Sequence, residues 1–173
     1  KTEEGQYCSY QLCHALYRLG AYEQSITELM NFVRNYSKSS YSPYAIYLIG
    51  WIRFQQRKYD EAIDNFNFLI QAYPQSDLIV RAHYAIADAY YNKGEYQTAI
   101  DAYQNIVEMF PSSPFAPEAM KGVHYCYLAL GQNEKAVEII ENLIESYPTS
   151  PIAEDLALKK IELFYTGQNY QDA

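Results

Sequence analysis

The sequence predicts an all-α fold, a stack of antiparallel helix hairpins, and three observations carry that expectation. A short motif returns every 37 residues along almost the whole chain. Serine and proline stand before one helix of each copy and glycine after it, where helix ends need them. Between these marks the apolar residues follow helical spacing, and no segment alternates as a strand does.

The register is read directly from the residues. Tyr22-Glu23-Gln24-Ser25-Ile26 lines up with Tyr59-Asp60-Glu61-Ala62-Ile63, Tyr96-Gln97-Thr98-Ala99-Ile100 and Asn133-Glu134-Lys135-Ala136-Val137. A fifth copy opens at Tyr170 and reaches only Ala173. An aromatic step keeps the same spacing at Tyr36-Ser37, Tyr73-Pro74, Phe110-Pro111 and Tyr147-Pro148, followed by Ser39, Ser76, Ser113 and Ser150. The repeats fall at about 1–38, 39–75, 76–112, 113–149 and 150–173, in one continuous segment over 1–173.

The first helix of each copy starts after the repeated serine, whose hydroxyl can accept from a free amide of the first turn. Pro114 and Pro151 stand where a missing N–H costs nothing. This helix ends near Gly20, Gly94 or Gly131, the residue type that tolerates a left-handed exit. Arg57 replaces the glycine in the second copy, which predicts a slightly different turn there. The second helix begins near Tyr22, Tyr59 or Tyr96 and stops at the aromatic-Pro step, because proline disfavours helical geometry in the residue before it. Ala62, Ile63, Phe66, Leu69 and Ile70 mark its apolar face in one copy. In the fifth copy the first helix is expected over about Pro151 to Thr166, with only the start of its partner. Its apolar face, with Leu156, Ile161 and Phe164, would be left open to further repeats or to another chain. That end is a candidate for self-association, and the chain reads as a stretch of something longer.

Composition narrows the function classes. The 173 residues carry a net charge of −8, with acidic residues spread evenly, so a nucleic-acid backbone is not the expected partner. No apolar run approaches the ~20 residues of a membrane span, and no signal peptide is visible. Cys8, Cys13 and Cys126 form neither a disulfide framework nor a zinc ribbon, and packing is their expected role. His14, His83 and His124 fall in three different repeats without a ligand at metal spacing, so neither metal nor cofactor is expected. There is no phosphate loop, nucleophile–His–Asp order or HExxH string, and the chain is not expected to be an enzyme.

The third copy, with Ala82, Ile86, Ala87, Tyr90, Gly94, Tyr96, Ala99, Tyr103, Ile106 and Pro111, resembles the tetratricopeptide repeat. The resemblance implies a right-handed α-solenoid and a protein-binding scaffold. The repeat is longer than the usual ~34 residues. The added length lies in the Pro-x-Ser-x-x-x-x-Ala linkers, Pro74-Gln75-Ser76 to Ala82 and Pro111-Ser112-Ser113 to Ala119. That linker resembles the bacterial envelope branch, the BamD-type outer-membrane assembly lipoproteins and the YbgF (CpoB) proteins of Tol-Pal systems. The branch implies a periplasmic or outer-membrane-associated scaffold; a cytoplasmic setting is the alternative.

In this family the first helices line a concave groove, at positions four residues apart. Carried onto this chain, the groove is Tyr10 and His14, Tyr47 and Trp51, Tyr84 and Asp88, Lys121 and Tyr125, continued by Leu158 and Glu162. The asparagines and lysine of a peptide-carboxylate clamp are missing, since His14, Trp51, Asp88 and Tyr125 hold those places. The implied partner is a protein or peptide held by apolar and aromatic contacts. Set against this, some of the rings could pack between repeats, and the whole stretch could be a spacer in a longer multi-repeat protein.

Overall fold

A computed structural model describes residues 2–158 of the chain. Among the described residues there is no strand. Eight complete helices follow in order: α1 (Glu3–Arg18), α2 (Tyr22–Asn35), α3 (Ser42–Gln55), α4 (Tyr59–Ala72), α5 (Ile79–Lys93), α6 (Tyr96–Met109), α7 (Phe115–Ala129) and α8 (Asn133–Ser146). Residues 151–158 are helical as well. Ile161 and Phe164, the rest of the expected fifth helix and the fifth copy from Tyr170 lie outside the described residues.

Every second helix, α2, α4, α6 and α8, is 14 residues long, and their starts are spaced by the sequence period. Each ends on the aromatic residue of its step: Tyr36, Tyr73, Phe110 and Tyr147 all have φ between −131° and −134°. Their ψ of 44–58° lies outside the helical region, and Tyr36, which no proline follows, leaves its helix in the same way as the three residues that precede proline. The serine that follows closes a turn at the entry to the next helix, although the N-caps of α3 and α7 are Tyr41 and Pro114 and not the serine as expected. Ser39, Ser76, Ser113 and Ser150 each accept, through Oγ, the N–H of the residue two places on, at 3.2–3.3 Å. Each serine N–H in turn donates to the carbonyl of the aromatic residue at 2.8–2.9 Å, so the linker is a fixed turn.

The turns inside the hairpins are αL exits. Gly20, Gly94 and Gly131 have φ of 76°, 81° and 70°. Arg57 adopts φ 60° in the same place, and the sequence expectation of an altered turn is corrected. Arg57 N–H donates to Phe54 O and Lys58 N–H to Arg53 O, as Gly20 N–H does to Tyr17 O and Ala21 N–H to Leu16 O. The hydrogen bonds that satisfy the last carbonyls of α1 and α3 hold this geometry whichever residue sits there.

The chain falls into two compact units, Lys1–Lys93 and Gly94–Ala173, where the sequence reads as one continuous segment. Within the first unit α1 packs on α2, α2 on α3, α3 on α4 and α4 on α5. Within the second, α6 packs on α7 and α7 on α8, while Ala153 and Leu156 join Leu143 in a small core.

Small residues set how closely the helices approach. Ser25, Ala62, Ala99 and Ala136 share one register and are fully buried. Ser25 satisfies its hydroxyl by donating to Cys13 O across the first hairpin at 2.8 Å. In the fourth copy His124 stands at the Cys13 register, and its Nδ1 lies 2.9 Å from Ala136 O. A carbonyl only accepts, so Nδ1 carries the proton, and the ring packs across the hairpin with that hydrogen bond. Gly50 meets the ring of Phe66, and Gly122 meets that of Tyr103, which has the same register as Phe66. An added Cβ would lie 2.7 Å from Phe66 and 2.6 Å from Tyr103, closer than either ring allows.

Candidate partner-binding face

The first helices of the first unit place rows of aromatic rings. On α1, Tyr10 and His14 lie 6.3 Å apart between centroids and His14 and Tyr17 5.8 Å apart. On α3, Trp51 and Phe54 stack at 5.5 Å with their planes 3° apart, and Phe54 meets Tyr59 edge-on at 5.4 Å. A helix advances about 100° per residue, so Tyr7, Tyr10, His14 and Tyr17 share one face of α1, as do Tyr44, Tyr47, Trp51 and Phe54 on α3. Gln55 Nε2 donates to Tyr17 Oη at 3.1 Å and joins the two rows.

The rings differ in depth. Tyr10 stacks on Tyr41 at 5.8 Å and packs against the core of the first hairpins. Tyr47 packs on Phe66 at 5.3 Å, against the core shared by α3, α4 and α5. Burial pushes both phenols above their ordinary range. Arg81 and Asp88 act on the Tyr47 hydroxyl with opposite signs, which puts α5 charges beside the α3 row. Tyr10 and Tyr47 are therefore half-buried packing residues that offer an edge, whereas Trp51 packs along its own helix on Phe54. Tyr84 and Asp88 are half-buried on α5.

In the second unit Lys121 pairs with Glu118 on its own helix at 2.8 Å, and Tyr125 is 45 % exposed with its ring against His124. Leu158 is exposed, and Glu162 lies outside the described residues. Six of the eight expected residues thus belong to α1, α3 and α5 of the first unit and two to α7 of the second. The expectation omitted Tyr7, Tyr17, Tyr44 and Phe54, although extending the four-residue spacing by three in each direction reaches all of them. Tyr44 is the most polar of these, since its hydroxyl donates to both carboxylate oxygens of Asp77 at 2.8–2.9 Å.

Ion pairs brace the edges of the same unit. Arg53 near the end of α3 reaches Glu23 at 2.8 Å and Glu61 at 3.0 Å, at the starts of α2 and α4. Lys93 reaches Asp60 at 2.6 Å. Gln56 and Arg53 together hold the Glu23 carboxyl below its ordinary range. These carboxylates are exposed and already engaged, which makes them braces rather than reactive groups. No described helix is long and apolar enough to cross a membrane.

Fixed αL exits, serine-capped linkers and small-residue seams at one register define a helical-hairpin repeat protein. The tetratricopeptide repeat profile matches residues 10–77 and 47–117, and a second tetratricopeptide repeat profile matches 125–150. The chain belongs to the tetratricopeptide repeat family. No curated protein sequence matches it. Among solved structures it is similar to a MamA protein, with 22% identity, TM-score 0.65, and 83% of this chain and 73% of that one covered. It is similar also to MamA from Desulfovibrio magneticus RS-1, at 19% identity and TM-score 0.65 over 84% of this chain and 77% of that one. A third is a putative kinesin light chain repeat protein of Podosopora anserina, at 15% identity and TM-score 0.65 over 84% and 76%. At these identities the likeness is one of fold.

Proposed function

We propose that the chain is a protein-interaction scaffold without chemistry of its own, and that a partner polypeptide docks on the α1, α3 and α5 face around Trp51. One observation carries this reading. The Trp51 register holds His14, Asp88 and Tyr125 in the other copies, so the stack does not require an aromatic ring there. Trp51 nevertheless presents a flat indole, stacked on Phe54, on a half-buried face. Tryptophan and tyrosine in such settings dominate binding energies, because one end is apolar and the other wet.

Membership of a bacterial envelope assembly, of the outer-membrane or Tol-Pal kind, is the finer reading, and the long Pro-x-Ser linkers support it. Fractionation of cells producing the protein tests that placement; recovery with the cytoplasm would refute it. The docking reading is tested by a photoreactive phenylalanine analogue at Tyr44, whose ring is 37 % exposed beside the proposed centre. Irradiation in cells of the source organism is expected to give a discrete adduct with another polypeptide, lost when Trp51 is also changed to Ala. An unmodified chain, or an adduct indifferent to Trp51, would leave this stretch a spacer.

A further inference from the structure

The second helices carry a cleft that the repeat does not account for. Between α2 and α4, Val33, Ile46 and Ile49 form an apolar floor and Met30, Arg34 and Phe68 a rim, around a cavity of about 310 Å³. The floor residues are ordinary members of the stack. The rim is not. At the Phe68 register the other copies hold Asn31, Asn105 and Asn142; at that of Met30 they hold Asn67, Gln104 and Glu141; at that of Arg34 they hold Gln71, Glu108 and Glu145. Three departures from the period thus converge on one cleft. Met30 and Phe68 are each 52 % exposed and border the same cleft. Arg34 is exposed and makes no ion pair among the described residues.

From this geometry we infer a second docking site, independent of the Trp51 face, that takes a protein segment bearing a large apolar side chain with a carboxylate close beside it. The apolar group fills the cleft between Met30 and Phe68, and the carboxylate pairs with Arg34. Charge selects the segment. A chain of net charge −8 repels acidic peptides generally, so a carboxylate is favoured only beside a cation such as Arg34, and here that cation borders an apolar cleft. A basic segment of the same apolar content meets the wrong sign at the rim.

The variants needed are supplied by the repeat itself. Phe68→Asn, Met30→Asn and Arg34→Glu install residues that other copies already carry at those registers, so helicity is expected to be unchanged. Binding to the full chain is measured by fluorescence anisotropy with three labelled peptides: leucines flanked by aspartates, leucines flanked by lysines, and serines flanked by aspartates. The first is expected to bind, to lose at least about tenfold in affinity in Phe68→Asn and in Arg34→Glu, and to be unaffected by Trp51→Ala. The other two are expected not to bind at this cleft. Binding of the first peptide that ignores Phe68 and Arg34, equal binding of the lysine peptide, or no binding of any peptide would overturn the proposal. So would a concentration-dependent dimer in sedimentation that Phe68→Asn abolishes, because a second copy would then be the occupant. Loss of the Trp51 face as a binding surface would leave this result untouched.

Discussion

Arg57 occupies an αL position that three other copies give to glycine, and the turn around it is unchanged. An L-residue pays about 1–2 kcal/mol for that conformation, and glycine returns about 0.5–1 of it as unfolded-state entropy. Arg57→Gly is therefore expected to stabilise the first unit by up to about 1.5 kcal/mol, read as a higher urea midpoint. Cys13 is a residue where burial alters chemistry: burial, with Glu28 adding to it, raises the thiol from 9.0 to about 11. Exposed Cys8 is expected to react with iodoacetamide in the folded protein at pH 8, and buried Cys13 and Cys126 only after unfolding. The folded-state value lies above the unfolded one, so Cys13 contributes stability below about pH 9 that is lost as the pH rises toward 11. A urea midpoint that stays flat across that window would contradict the shift. At this scale the sequence identified the glycine register but not the conformation of Arg57, because the hydrogen bonds that hold the turn are backbone bonds and leave no mark on residue type.

Helix ends were the most legible elements. Each repeated serine accepts an amide through its hydroxyl at the entry to the next helix, without itself being the N-cap of α3 or α7, and Ser76→Ala is expected to cost roughly 0.5–2 kcal/mol, seen as faster hydrogen exchange at the start of α5. Seams were legible in part. Ala62, Ala99 and Ala136 announced close approach by recurring, but Gly50 and Gly122 do not share a register, and only the packed Phe66 and Tyr103 rings reveal why each lacks a side chain. Gly50→Ala is expected to overpack the Phe66 contact by about 1–3 kcal/mol, and the paired change Phe66→Leu should recover part of that loss in thermal unfolding. The face of a first helix could be drawn from spacing alone. How deep each ring sits on that face could not, since Tyr47 is claimed by Phe66 across the hairpin while Trp51, one turn on, is not.

For the molecule as a whole, the period separates two kinds of residue. Those it repeats, the serines, the turn residues and the small seam residues, hold hairpin against hairpin; those it changes divide between packing, as Gly50 and Arg53 do, and the proposed docking surfaces, with Trp51, Phe68 and Arg34. The family and the helix boundaries followed from the first kind. The second unit's boundary at Gly94 did not, because the motif does not change there. The division is tested most directly by immobilising the full chain and its Trp51→Ala variant and quantifying polypeptides retained from a lysate of the source organism, with far-UV circular dichroism on both. The account predicts unchanged helicity and a loss of at least about tenfold in one retained polypeptide. Equal retention by both chains, or a fall in helicity on removing the indole, would contradict it.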